Sequence, residues 1–151
     1  MSKTSNPDFV ALAQRYAQLG SGPKAELRRV PRPDDLQLVP AYYRLLPGIH
    51  TDSKWRRVVF FLPFVRHGDS ELRLGQALKQ AGISEMRLFQ VLRSTKPNDL
   101  IQLRRLVQQA EPAVHWQRLG ESLFYWGENQ KRRLVEDYFT PIPETKKEAK
   151  S

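Results

Sequence analysis

Between Ser84 and Pro112 the chain reads SEMRLFQVLRSTKPNDLIQLRRLVQQAEP, and its cations fall on faces that a hydrophobic core does not need. Arg87, Arg93, Lys96, Arg104 and Arg105 face only two acids, Glu85 and Asp99, between Ser84 and Gln109. At about 100° per residue, Leu100, Leu103, Leu106, Val107 and Ala110 fill one arc of a helical wheel. Arg105 falls opposite that arc with Gln108 and Gln109 beside it, and Arg104 lies on its border, at the core edge or within reach of a carboxylate. On the preceding segment Arg87, Gln90 and Arg93 share one side, away from Leu88, Val91 and Leu92. Arginine and glutamine on solvent faces suit phosphate contacts supported by auxiliary hydrogen bonds. The plain alternative is a solvated helix face.

Further clusters repeat the pattern: Arg28-Arg29, Lys54 with Arg56-Arg57, and Lys131-Arg132-Arg133. Neighbours on a helix diverge by about 100°, so one of each pair can serve the fold and the other a ligand. Glu128, Glu136 and Asp137 dilute the last cluster.

Little else nominates chemistry. His50, His67 and His115 lie far apart in sequence, and none has a second ligand at helical spacing, so each reads as a surface or packing residue. There is no Gly-rich phosphate loop and no nucleophile elbow. Pro33-Asp34 and the distant Glu144-Thr145-Lys146 have the letters of a metal-dependent nuclease motif. A metal clamp needs carboxylates on packed elements, however, and the second half lies in a charged tail. No cofactor or enzymatic activity is expected. The Trp and Tyr residues stand at core spacing and read as packing.

The elements that must position these cations are helices. Pro7 and Asp8 open a first helix to Leu19, with Gly20-Ser21-Gly22-Pro23 as its stop and a short basic segment from Lys24 to Val30. Asp34 and Asp35 favour a helix start, and Pro40 predicts a kink or break in the run Leu36, Val39, Tyr43, Leu46. Lys54 to Phe64 is dense in apolar residues and predicts a buried helix, although its composition also suits a strand. His67 to Ser70 is the candidate hinge. Leu72 to Ala81 is amphipathic, with Gly82 as its C-cap. Lys96-Pro97 breaks the central hairpin, after which Asn98 or Asp99 can cap the next helix. Val114 to Trp126 and Asn129 to Phe139 complete the set, and no strand pairing is expected. The fold class is all-α, a bundle of about eight or nine helices. It is organised as a frayed N-terminus (1–7), one domain (8–140) with lobes of about 8–67 and 71–140, and a disordered tail (141–151).

The 151 residues carry 25 Lys and Arg against 16 Asp and Glu, for a net charge of +9, and no cysteine. The excess is +3, +4 and +2 over residues 1–50, 51–100 and 101–151, so the charge belongs to the folded body and not to a tail. That distribution points to a polyanionic partner. Without an apolar run of about 20 residues or a signal segment, the expected setting is soluble and cytoplasmic, with no membrane partner.

LRRV (27–30), PDDL…VPAYYRL (33–45), LGQAL (74–78), RLFQVLR (87–93), IQLRRLV (101–107), AEP (110–112), YWG (125–127) and LVEDYF (134–139) occur in an order that resembles the CasB family. That family is the small subunit of the type I-E CRISPR Cascade surveillance complex. The resemblance spans roughly residues 8 to 140, and implies an all-helical, non-catalytic protein of two bundled lobes. It implies as partners the large and backbone subunits of Cascade, a second copy of the chain, guide RNA and target DNA. It further implies that basic residues hold the displaced non-target strand and so keep the R-loop open. By matching position this role falls on Arg29, Arg87, Arg93, Lys96, Arg105, Lys131, Arg132 and Arg133. Residues 47–73 match poorly, so no role is carried onto Lys54, Arg56 or Arg57. The competing expectation is a structural adaptor whose basic face meets an acidic protein surface.

Overall fold

The computed structural model describes residues 7–46 and 52–142. The expectations for residues 1–6, for the Pro47-Gly48 stop, for His50 and for the Glu144-Thr145-Lys146 tail lie outside the described residues. Nine α-helices run through the described chain: α1 (Phe9–Ala17), α2 (Ser21–Arg28), α3 (Pro40–Leu45), α4 (Ser53–Phe61), α5 (Leu74–Gln80), α6 (Glu85–Arg93), α7 (Asn98–Ala110), α8 (Trp116–Phe124) and α9 (Glu128–Phe139). Two 3-10 segments, Pro33–Leu38 and Leu62–Phe64, extend the helical architecture. The class is all-α.

Local chemistry sets the boundaries. Asp8 caps α1 by accepting from the Ala11 N–H, and Ser84 caps α6 by accepting from the Arg87 N–H. Gly82, at φ +88°, makes the left-handed turn after α5 that other residues adopt only with strain. One proline acts differently from expectation and another as expected. Ser21-Gly22-Pro23 forms the first turn of α2 instead of only ending α1, because a first-turn N–H has no intrahelical acceptor to lose. Pro40 marks the expected break: it opens α3 after the extended Val39, and the Asp34-Asp35 segment before it closes as a 3-10 turn.

One pairing was not expected. Arg66–His67 (β1) and Ala113–Val114 (β2) form a two-residue parallel ladder, Arg66 opposite Ala113 and His67 opposite Val114. Segments this short carry no readable alternation, and their partner lies far along the chain.

The core is continuous across these elements. The Phe9, Trp55 and Phe124 rings meet at centroid separations of 5.1 to 5.6 Å, joining α1, α4 and α8 in tilted and edge-on geometry. Gly120 lets the Phe9 ring lie against α8, since a methyl group there would overlap it. Gly75 does the same for α5 against the Leu134 carbonyl and Tyr138 amide of α9. The Gly75 contact seats α9 on α5, while α6 packs along α7 and α7 in turn against α5 and α4, so the helices that carry most of the candidate cations are tied to this core.

Candidate nucleic-acid interface

The adjacent arginines divide their work as the 100° offset requires. Arg104 lies across the Phe60 ring, its guanidinium carbon 3.8 Å from the ring centre and 5.0 Å from that of Phe64. Its Nη2 donates to the Val30 carbonyl at 2.6 Å. Burial, with Arg105 and Arg28 nearby, pushes its pKa down to about 10. The anchor is therefore a carbonyl and two rings, not a carboxylate. Arg28 donates to the Pro63 carbonyl at 3.3 Å and stands 4.8 Å from the centre of the Phe64 ring. Their neighbours Arg29 and Arg105 are exposed. In the second pair Arg104 holds the fold while Arg105 faces water; Arg28 keeps its carbonyl and ring contacts at the surface and is exposed like Arg29.

On the hairpin, α6 and α7 pack along each other, and the Arg87 Nη1 donates to the Gln109 Oε1 at 2.6 Å. This bond leaves Arg87 half-buried and pins its guanidinium between the two helices. Arg93 and Lys96 are exposed at the hairpin's tip. On α9, Arg132 and Arg133 are exposed, with Arg132 bonded to Asn129 at 3.3 Å.

Lys131 is the exception among the predicted site residues. Its side chain is 8% exposed, with Nζ 3.1 Å from the Asp99 carboxylate and 2.8 Å from the Ser94 carbonyl. The same Asp99 oxygen accepts from the Trp126 indole at 3.0 Å. A cation so enclosed has no face left for a phosphate. It sits at i, i+3 and i+7 with the buried Leu134 and Tyr138, so the helical period of α9 carried the signal. Asp99 also departs from expectation. Neither it nor Asn98 is the residue before α7, whose cap position is Pro97 with no side-chain bond. Asp99 is instead turned into the core as a shared acceptor for Lys131, Trp126 and its neighbour's N–H.

Arg57 donates to the carbonyls of Leu123 (2.8 Å) and Phe124, and Arg56 pairs with Asp34 at 3.0 Å. Both are engaged by the fold, α4 to α8 and α4 to the 3-10 turn. Lys54 lies 5.6 Å from the centre of the Phe124 ring.

The histidines are not all apart. The β1–β2 ladder brings His67 and His115 to a centroid separation of 4.8 Å, with Asp69 at 3.1 Å from the His67 Nε2. Their ligand atoms and that of Asp69 lie within 4.8 Å of one another. Each Nδ1 already accepts a backbone N–H, Trp116 on His67 and Gln117 on His115. In a neutral ring that leaves the proton on Nε2, the reverse of what a metal ligand needs. The pair caps α8 by accepting its first backbone N–H groups. Among the described residues no helix is long and apolar enough to cross a membrane.

Comparison with known proteins joins these observations. The family model for CRISPR-associated protein Cse2 matches residues 23–139. The chain is 35% identical over 147 residues to the CRISPR system Cascade subunit CasB of Escherichia coli K12, covering 87% of this chain and 92% of that protein. It is also similar to a chain in the crystal structure of E. coli Cascade bound to a PAM-containing double-stranded DNA target. That match has 34% identity and a TM-score of 0.79, and covers 89% of this chain and 97% of the other. The helical architecture and these matches agree: the chain belongs to the CRISPR-associated Cse2 (CasB) family, and its role is non-enzymatic.

Proposed function

We propose that this chain is a subunit of a CRISPR RNA-guided surveillance complex of the type I-E Cascade kind, and that its basic surface holds the displaced non-target DNA strand. The observation that carries the reading is the division between Arg104 and Arg105. Arg105 stays exposed while Arg104 is held by a carbonyl and two rings, and Arg29 is exposed beside an Arg28 that is itself exposed and keeps one carbonyl bond. With Arg87, Arg93, Lys96, Arg132 and Arg133, Arg29 and Arg105 supply phosphate contacts without a base-reading motif, which suits a strand of arbitrary sequence. Lys131 is left out of this set because Asp99 encloses it.

The energetic demand is modest. R-loop formation exchanges one duplex for another at near balance, with stacking of about 1.4 kcal/mol per step, so a few phosphate contacts can tip it. In the assembly, the large and backbone subunits, a second copy of this chain and the guide RNA are the expected neighbours, and the cytoplasm the expected setting.

The test is salt-dependent binding of single-stranded DNA. For single strands log K falls with log salt by about 0.7 per phosphate neutralised. Arg105→Gln should shallow the slope by about 0.7 and weaken binding alike for unrelated sequences. No change in slope with Arg87→Gln, Arg93→Gln and Arg105→Gln combined would favour the structural adaptor, whose basic face meets acidic protein instead.

A further inference from the structure

A cleft outside the paired arginines opens between α5, α8 and α9. Its floor is apolar, built from Leu74, Leu119, Leu123, Leu134 and the Trp126 indole, and it encloses a volume of about 90 Å³. Interiors of this kind are otherwise close-packed, so a void with an open mouth leaves its lining without contact partners that a ligand can supply. The volume limits the occupant. An apolar cavity that accepts a benzene ring is about 150 Å³. A branched aliphatic side chain suits the space better than a planar ring does.

The mouth limits it further. Arg73, Arg118 and Arg133 stand on the lining. Arg73 approaches Asp137 at 3.6 Å and Arg118 approaches Glu71 at 3.5 Å, both longer than the roughly 2.7–2.9 Å of a good charge-assisted hydrogen bond. Arg133 makes no hydrogen bond or ion pair among the described residues and is exposed. Three guanidiniums thus stand over one lining carboxylate, Asp137, with Arg118 also bonded to the Glu71 backbone carbonyl at 3.3 Å, and the rim keeps a positive excess that a further carboxylate can meet. Ser122 lines the same wall and offers a hydroxyl beside the floor.

We infer that this cleft is a docking site for a protein segment that places a leucine-like side chain next to an acidic residue. The leucine fills the apolar floor and the carboxylate meets Arg133 with Arg118 or Arg73. This contact is separate from strand binding and does not depend on it, although Arg133 is available to both.

The probe is the capped dipeptide acetyl-Leu-Glu-amide, titrated into the full ¹⁵N,¹³C-labelled chain and followed by NMR. Saturable shifts should be confined to the methyl groups of Leu74, Leu119, Leu123 and Leu134 and to Trp126. Acetyl-Ala-Glu-amide and acetyl-Leu-Gln-amide should each bind about tenfold more weakly, since one loses the apolar burial and the other the charge. Ser122→Phe should abolish the shifts while single-stranded DNA binding is unchanged. The peptide comparison stands by itself if that variant does not fold. Equal binding of the three peptides, or shifts outside the cleft, would overturn the inference. So would saturation of the same methyl groups by a deoxythymidine oligomer, which would assign the cleft to nucleic acid.

Discussion

Lys131 and Asp99 show what a single buried pair does for the surface around it. Lys131 links α9 to the last carbonyl region of α6 at Ser94 and to the first turn of α7 at Asp99, so the basic hairpin and the basic face of α9 are held in one geometry. Removing one partner strands the other charge in the core, at a typical cost of about 3–5 kcal/mol. Lys131→Met should lower stability by that amount in chemical denaturation. Adding Asp99→Asn, which still accepts from Trp126, should recover more than half. Tyr42 supplies a pH signature. Burial is the main cause that pushes its phenol from the ordinary 10 up to about 12. The neutral form is favoured in the folded state, so its contribution is full below pH 10 and is lost as pH rises through 12. Stability should fall over that window, and Tyr42→Phe should flatten the fall. Arg104, with its folded value lowered to about 10, adds a slope of opposite sign above that pH, which cancels in the comparison. The separation of Arg105 from Arg104 was legible in the sequence because both sit on one helix with a clear apolar arc. The burial of Lys131 was weaker in the same kind of signal, since a lysine among apolar positions reads as a boundary residue until its partner 32 positions away is known.

At the scale of elements, helix type and order were readable because apolar residues recur at helical spacing and prolines, glycines and capping side chains punctuate them. The role of Pro23 as an opener, and the β1–β2 ladder that joins His67 to His115, were not readable in the same way. The first depends on which side of a break a turn closes, and the second on a long-range pairing of two residues. Close helix contact makes a sharp prediction. Gly75 admits the backbone of α9 where any Cβ would overlap the Leu134 carbonyl and Tyr138 amide. Gly75→Ala gains helix propensity of about 1 kcal/mol but forces backbone apart, at about 1–3 kcal/mol or more. The net should be destabilising, with a lowered melting temperature and perturbed amide signals along α9. An unchanged or raised melting temperature would show that α5 and α9 are less tightly joined than the geometry requires.

For the whole molecule, the distribution of charge matters more than its sum. The +9 is spread along the folded chain, and the structure sorts it into cations committed to carbonyls, rings and carboxylates and cations facing water. On the proposed reading the water-facing cations hold the displaced strand, and the lifetime of the R-loop in the assembled complex reports that grip. Complexes carrying Arg29→Gln, Arg87→Gln, Arg93→Gln and Arg105→Gln together should assemble normally, and their R-loops should dissociate at least tenfold faster at moderate salt, the difference shrinking as salt is raised. An R-loop lifetime equal to that of the unmodified complex at every salt concentration would contradict the proposal that these four arginines hold the displaced strand.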